Sequence, residues 1–165
     1  MSSVFATDLR RRNEEKWAAV PSYIDFLLTQ QDYDRPIAAV IDIDGTILDA
    51  FTYLPMRGSV EAIKQIKARG CSIFIVTARS KHMMHETIYE LKDVGITPDL
   101  YKGIFFGDLA RSHKDSKAAH RNTIRETHDL ILAIGDRTID LIDLHEDTSD
   151  DYCYLNLMME SMTQY

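Results

Sequence analysis

Between Pro36 and Asp49 the chain reads Pro-Ile-Ala-Ala-Val-Ile-Asp-Ile-Asp-Gly-Thr-Ile-Leu-Asp, and this stretch constrains the fold more than any other. Ile37 to Ile41 is apolar on both faces. Such a run reads as a buried parallel strand, because a half-exposed strand would alternate apolar with polar residues. Asp42 and Asp44 follow at its carboxyl end, spaced by two, and point the same way if extended geometry persists that far. Two carboxylates at the end of a buried strand need compensation, since unpaired buried charge is costly. A metal ion is the economical compensation. Asp-Gly is also a hairpin signal, and an acidic loop after a strand can be a solvated turn.

A chain of 165 residues is long enough for one substantial core, which predicts a single domain over 1–165. The formal net charge of -7 argues against broad nonspecific binding of nucleic acid. Cys71 and Cys153 are too few and too scattered for a disulfide framework or a zinc knuckle. The N-terminus shows no basic segment before an apolar core, and no apolar run approaches the roughly 20 residues that span a bilayer. These features predict a cytoplasmic protein with no membrane partner.

In chain order, 8–30 reads as a helical segment packed on a core at 36–157. Trp17, Val20, Ile24, Leu27 and Leu28 share one face, Thr7 is the expected N-cap, and Pro21 is expected to kink or split the helix. Arg10, Arg11 and Arg12 make a basic run, either a contact surface or a solvated face. A strand at 36–43 leads into a loop that passes Phe51, Tyr53, Pro55 and Gly58. The two aromatics line a substrate entrance or simply pack. A helix over Ser59–Arg69 ends at Gly70, and a strand over Cys71–Val76 closes in Thr77-Ala78-Arg79-Ser80. Ser80 caps a helix whose face is Met84, Ile88, Leu91 and Val94. A strand region at Pro98–Phe106, a polar helix at Lys114–Thr127 and a strand at Leu130–Ile134 follow. A short helix, a strand at Tyr152–Leu157 and a Met-rich tail from Met158 to Tyr165 complete the pattern. Strands alternating with helices predict an α/β fold: a doubly wound, Rossmann-like parallel sheet flanked by helices. Such sheets place sites outside the carboxyl ends of the strands at the switch point. Asp42/Asp44, Thr77/Arg79 and Asp136/Asp140 all stand at strand ends.

Asp136 and Asp140, four apart at a strand-to-helix turn, share a face of the first turn if a helix starts there. Helix capping explains them in isolation, but not a second acidic pair at a strand end nearby. Four carboxylates in one crevice call for a cation, and magnesium suits oxygen ligands and exchangeable waters. Thr77 offers a hydroxyl and an amide to a phosphate, and Lys114 or Lys117 can supply the balancing ammonium.

These residues resemble the haloacid dehalogenase superfamily of phosphohydrolases over most of the chain, from Ile37 to about Asp143. Asp42-Ile43-Asp44-Gly45-Thr46 is similar to its first motif, Val76-Thr77-Ala78-Arg79 to its second and Gly135-Asp136-Arg137-Thr138-Ile139-Asp140 to its fourth. Lys117, with Arg121 one turn later, is similar to the third motif of the acid-phosphatase branch and is preferred to Lys114. The resemblance implies a phosphomonoester hydrolase in which Asp42 attacks phosphorus to form an aspartyl-phosphate. Asp44 protonates the leaving oxygen and then activates water. Mg2+ is held by Asp42, the Asp44 carbonyl and Asp136, with Asp140 ligating it or orienting a water. Thr46, Thr77, Arg79 and Lys117 contact the phosphorylated substrate. An Asp at position 44 favours a phosphatase over a dehalogenase, because an alkoxide leaving group needs a proton and a halide does not.

The intervals Asp44–Thr77 and Ser80–Lys117 are filled by core elements, which predicts no cap domain and an open crevice. That suits a nucleic-acid end, a phosphoprotein or a nucleotide, with Arg57, Arg79 and Arg137 as local phosphate contacts. A small metabolite remains an alternative if the N-terminal helix or a second subunit of a homo-oligomer acts as lid. A phosphotransferase and a noncatalytic phosphate-binding scaffold are the alternative functions. His82 and His85, one turn apart and without a third ligand, read as solvent-facing rather than zinc-binding.

Overall fold

The computed structural model describes residues 3–143 and 153–161. Five parallel strands form one sheet: β1 (Ile37–Ile41), β2 (Ser72–Ser80), β3 (Gly103–Gly107), β4 (Asp129–Gly135) and β5 (Leu155–Met158), in the order β3-β2-β1-β4-β5. The helices are α1 (Ser3–Gln30), α2 (Ser59–Ala68), α3 (Met84–Asp93) and α4 (His113–Arg125). This is the doubly wound arrangement expected from the sequence, and no separate cap domain is present among the described residues.

The all-apolar strand now has its reason. Ala39 and Ile41 of β1 face a core that includes Trp17, Val20, Ile24 and Leu27 of α1, Ile63 and Ile66 of α2 and Leu91 of α3. Ala38 and Val40 face the other side, where Ile124 of α4 packs with Leu130 and Ala133. Strand alternation thus supplies two cores at once. The chain winds outward from β1 to β3, then crosses behind the sheet through α4 to reach β4 on the other side of β1. That reversal puts the switch point between the ends of β1 and β4, where the Asp42 amide donates to the Ile134 carbonyl at 3.0 Å.

Several boundaries differ from the sequence reading. The first helix starts at Ser3, so Thr7 lies inside it and is no N-cap, and Pro21 stands within it without dividing it. Trp17 and Val20 before the proline and Ile24 and Leu27 after it are all buried, so packing on both sides outweighs one missing amide hydrogen bond. Arg12 of the basic run donates to Glu160 at 2.7 Å, and Asn13 bonds the Glu160 backbone through both ends of its amide. The tail therefore docks on α1 as far as Ser161, while Tyr152 and residues 162–165 of the expected strand and tail lie outside the described residues. β3 starts only at Gly103, because Pro98–Leu100 forms a 3-10 turn in which Pro98 presets φ. No helix among the described residues is long and apolar enough to cross a membrane.

Just before β4, buried His128 packs edge-on against Phe74, with centroids 5.1 Å apart. Burial holds its pKa below the usual 6.5, with Lys102 and Arg35 adding to the shift and Asp129 opposing it. The unfolded chain therefore takes up this proton more readily. The associated stability is present above pH 6.5 and is lost as pH falls through the lower folded value. His128→Phe is expected to flatten the fall in Tm between about pH 7 and 5, read by thermal melts of both proteins.

Candidate active site

At the end of β1 the chain coils tightly. The Ile43 carbonyl accepts from the amides of Thr46, Ile47 and Leu48 at 3.1, 2.9 and 3.0 Å. This coil returns the Thr46 hydroxyl to Asp42, where it donates to Oδ2 at 3.2 Å. Gly45 sits in the left-handed region at φ +77°, and a Cβ there would run into the Asp136 carboxylate. The Asp-Gly pair marks close approach of two site loops rather than a hairpin.

The end of β4 supplies the opposite wall. Asp140 turns its Oδ2 back onto the amides of Asp136 and Arg137 at 3.1 and 3.0 Å. Arg121 of α4 ties down the same turn by donating to the Ile139 carbonyl at 2.9 Å. Lys117, one helical turn before Arg121, donates to Asp42 Oδ1 at 2.8 Å and also to Asp140 Oδ1. Lys114 is exposed, so the helix delivers Lys117 to the site. Gly135 permits this packing, because a Cβ there would fall on the side chain of Asp140. Gly135→Ala is expected to destabilise the protein by about 1–3 kcal/mol through overpacking. It should also lower any turnover at least about tenfold by displacing Asp140. Urea unfolding and kinetics on one preparation check both.

Asp42, Asp136 and Asp140 are all buried, and each brings an oxygen to within 4.8 Å of the others. Burial pushes the Asp42 carboxyl up to about 7, Asp140 and Asp136 add to the shift, and Lys117 opposes it. Asp136 is also raised, by burial and then by Asp140. Burial alone would lower the Lys117 ammonium, but Asp42 and Asp140 outweigh it and the net shift is upward. Three carboxylates against one ammonium leave two negative charges in excess when all are ionised. An all-oxygen donor set with that excess fits a hard divalent cation. The carboxylate of Asp44 is not part of this cluster.

The end of β2 differs most from expectation. The strand runs on to Ser80 instead of ending at Val76, with an irregular register against β3 between Val76 and Ser80. Irregularities of this kind re-aim side chains near sites. Arg79, expected as a substrate contact, is buried and turned inward. Its Nε and Nη2 donate to Asp44 Oδ2 and Oδ1 at 2.9 and 2.7 Å, and its Nη1 donates to Glu90 and Thr87 at 2.6 and 3.2 Å. Thr46 and Thr77 are buried as well. The Thr77 hydroxyl accepts from the Arg79 amide at 3.1 Å.

A crevice of about 280 Å³ opens over these ends, lined by Asp42, Asp44, Lys117, Asp136 and Asp140 together with Ala50, Ala78, His113, Arg137 and Ile139. Of the aromatics after β1, Tyr53 stacks over the Arg79 guanidinium at 5.9 Å, and Phe51 is exposed. Arg57 and Arg137 are exposed, and so are His82 and His85. Sequence reasoning missed His113, which stands four residues before Lys117 on α4 and so shares its face. It also missed Thr87 and Glu90. Their signal was two polar residues beside Leu91 on the inward side of α3.

The family model for the haloacid dehalogenase superfamily, subfamily IIIB (acid phosphatase), matches residues 54–158. The chain belongs to this family. The matched stretch carries Thr77, Lys117, Asp136 and Asp140 but starts after Asp42 and Asp44. Two solved structures of the Class C acid phosphatase from Bacillus anthracis share the fold. One has a TM-score of 0.72 at 20% identity, over 82% of this chain and 66% of that one. The other, with tungstate bound, has a TM-score of 0.76 at 17% identity, over 94% and 79%. A chain of the Pnkp1/Rnl/Hen1 complex is similar at a TM-score of 0.58 and 18% identity, over 78% of this chain and 48% of that one. No curated protein matches the chain at the sequence level.

Proposed function

We propose that this acid-phosphatase family member is a magnesium-dependent phosphomonoester hydrolase that works through an aspartyl-phosphate on Asp42. The observation that carries the reading is the buried grouping of Asp42, Asp136 and Asp140 around one lysine at the switch point of the sheet. Asp42, Asp136, Asp140 and the Asp44 carbonyl would hold Mg2+, which when bound offsets charge on the phosphoryl oxygens.

The chain's own residues account for the rest. Thr46 and Lys117 each bond one oxygen of Asp42 and so fix the plane of the nucleophile. An Asp42 oxygen attacks phosphorus, the bond to the leaving oxygen breaks, and that oxygen takes a proton from Asp44. Water then attacks the phosphoryl group, gives a proton to Asp44 and releases the Asp42 carboxylate. Splitting the displacement into two steps suits a weak nucleophile, and Lys117 and the Thr77 backbone supply donors to the phosphoryl oxygens. The open crevice suits a phosphate on a bulky carrier: a nucleic-acid end, a nucleotide or a phosphoprotein. The free thiols of Cys71 and Cys153 fit a cytoplasmic setting.

The test is phosphate release from a panel of nucleotides, 3′- and 5′-phosphorylated oligonucleotides, sugar phosphates and phosphopeptides, with and without Mg2+. Magnesium-dependent release from at least one class is expected. No release from any member sinks the proposal.

A further inference from the structure

Arg79 is held from three sides. Asp44 takes two of its N–H groups on one edge, Glu90 and Thr87 take a third nitrogen on the other edge, and the Tyr53 ring covers its face. Thr87 and Glu90 both come from α3, which supplies no residue to the lining of the crevice. The Arg79 side chain is 5% exposed, whereas that of Asp44 is 38% exposed and faces the crevice. Asp44 is therefore gripped from behind and open in front. A two-pronged guanidinium contact fixes both the position and the plane of a carboxylate. It leaves each carboxylate oxygen a further lone pair, so proton transfer on the crevice side stays open.

The guanidinium can orient Asp44 only if its own orientation is fixed. β2 sets where its backbone lies, but the long side chain has four torsions to restrain. Glu90, at 2.6 Å, provides that restraint as a charge-assisted bond, with Thr87 at 3.2 Å beside it. We propose that Glu90 and Thr87 are positioning residues that hold Asp44 in register with the leaving oxygen through Arg79. The inference deepens the reading given above and rests on the acid role of Asp44 in it.

A general acid matters in proportion to how badly the leaving group needs a proton. The test compares kcat/KM for an alkyl phosphate, β-glycerophosphate, with kcat/KM for 2,4-dinitrophenyl phosphate, whose leaving group departs unprotonated. This ratio reports only the steps up to formation of the phosphorylated enzyme, so the later use of Asp44 as a base does not mask the comparison. Glu90→Ala is expected to lower kcat/KM by about 30-fold or more for the alkyl ester and by about threefold or less for the dinitrophenyl ester. Glu90→Gln keeps an acceptor for Arg79 and is expected to restore most of the loss. Thr87→Val withdraws only the longer bond and should show the same selectivity at smaller amplitude, so the result does not depend on Glu90→Ala folding. Equal losses on both esters, or no loss on either, overturn the positioning role. A wild-type protein that hydrolyses neither ester strikes instead at the function itself.

Discussion

Asp42→Asn is expected to lower kcat for every phosphomonoester the protein accepts by about 10⁴-fold or more, without weakening the metal-free fold. The amide is nearly isosteric with the carboxylate and still offers an oxygen to Lys117, but it cannot form the covalent acyl phosphate. The stability half follows from proton linkage. The Asp42 carboxyl stands at about 7 in the folded protein against 3.8 in the unfolded chain, first because of burial and then because Asp140 and Asp136 crowd it. The native state therefore holds this proton more tightly than the unfolded state. In the metal-free protein, stability falls as pH rises from about 4 towards 7, as the buried carboxyl ionises. Asparagine carries no such charge. At pH 8 without metal, Tm of the variant should equal or exceed that of the wild type. Added Mg2+ should raise Tm of the wild type more than that of the variant. Retained turnover, or a clear fall in metal-free Tm, contradicts the assignment of Asp42.

Lys117→Met should have the largest effect on stability. Lys117 is 3% exposed and is the only ammonium directly bonded to this cluster among the described residues. Removing one partner of a buried pair leaves uncompensated charge and costs about 3–5 kcal/mol. Here the charge left behind is that of three carboxylates that already repel each other. A divalent cation should recover part of the loss by supplying the missing positive charge, whereas a cavity or a packing defect would not respond to it. Urea unfolding of both proteins at pH 7.5, with Mg2+ and with a chelator, separates the two causes. Turnover should also drop, since Lys117 fixes the nucleophile from one side. An equal deficit with and without the cation would mean that the lysine serves packing alone.

The parts of the site readable in the sequence were those with a local signature. Asp42 and Asp44 end a run apolar on both faces, which raises a metal site against a solvated acidic turn before any fold is known. Asp136 and Asp140 sit in one turn behind another buried strand. The polar face of α4 was legible as helix, and Lys117, Arg121 and Ile124, three of its four buried residues, repeat at four- and three-residue steps. Lys114 and Lys117 are close to one turn apart and chemically identical, so their chemistry alone does not separate them; the resemblance favoured Lys117, and its bonds to Asp42 and Asp140 place it at the site. The direction of Arg79 was not legible, because an arginine at a strand end can turn to the solvent crevice or inward. The choice was made by Glu90 and Thr87, eleven and eight residues away on another element.

The helix boundaries teach the same lesson. Pro21 predicted a kink or a split because propensity is local, and the split does not occur: Trp17, Val20, Ile24 and Leu27 bury the helix on both sides of it. The sequence alone determined the alternation of strand and helix and the carboxylates and threonines at the strand ends. These depend on periodicity and on the chemistry of neighbouring residues. Only the tertiary structure decided how those ends meet: Lys117 between Asp42 and Asp140, Asp44 in the grip of Arg79, Gly45 making room for Asp136 of the opposite turn and Gly135 for Asp140 of its own. The ion pairs among them join residues 23, 35 and 75 positions apart along the chain. Their energies come from burial and charge compensation, which no single segment contains.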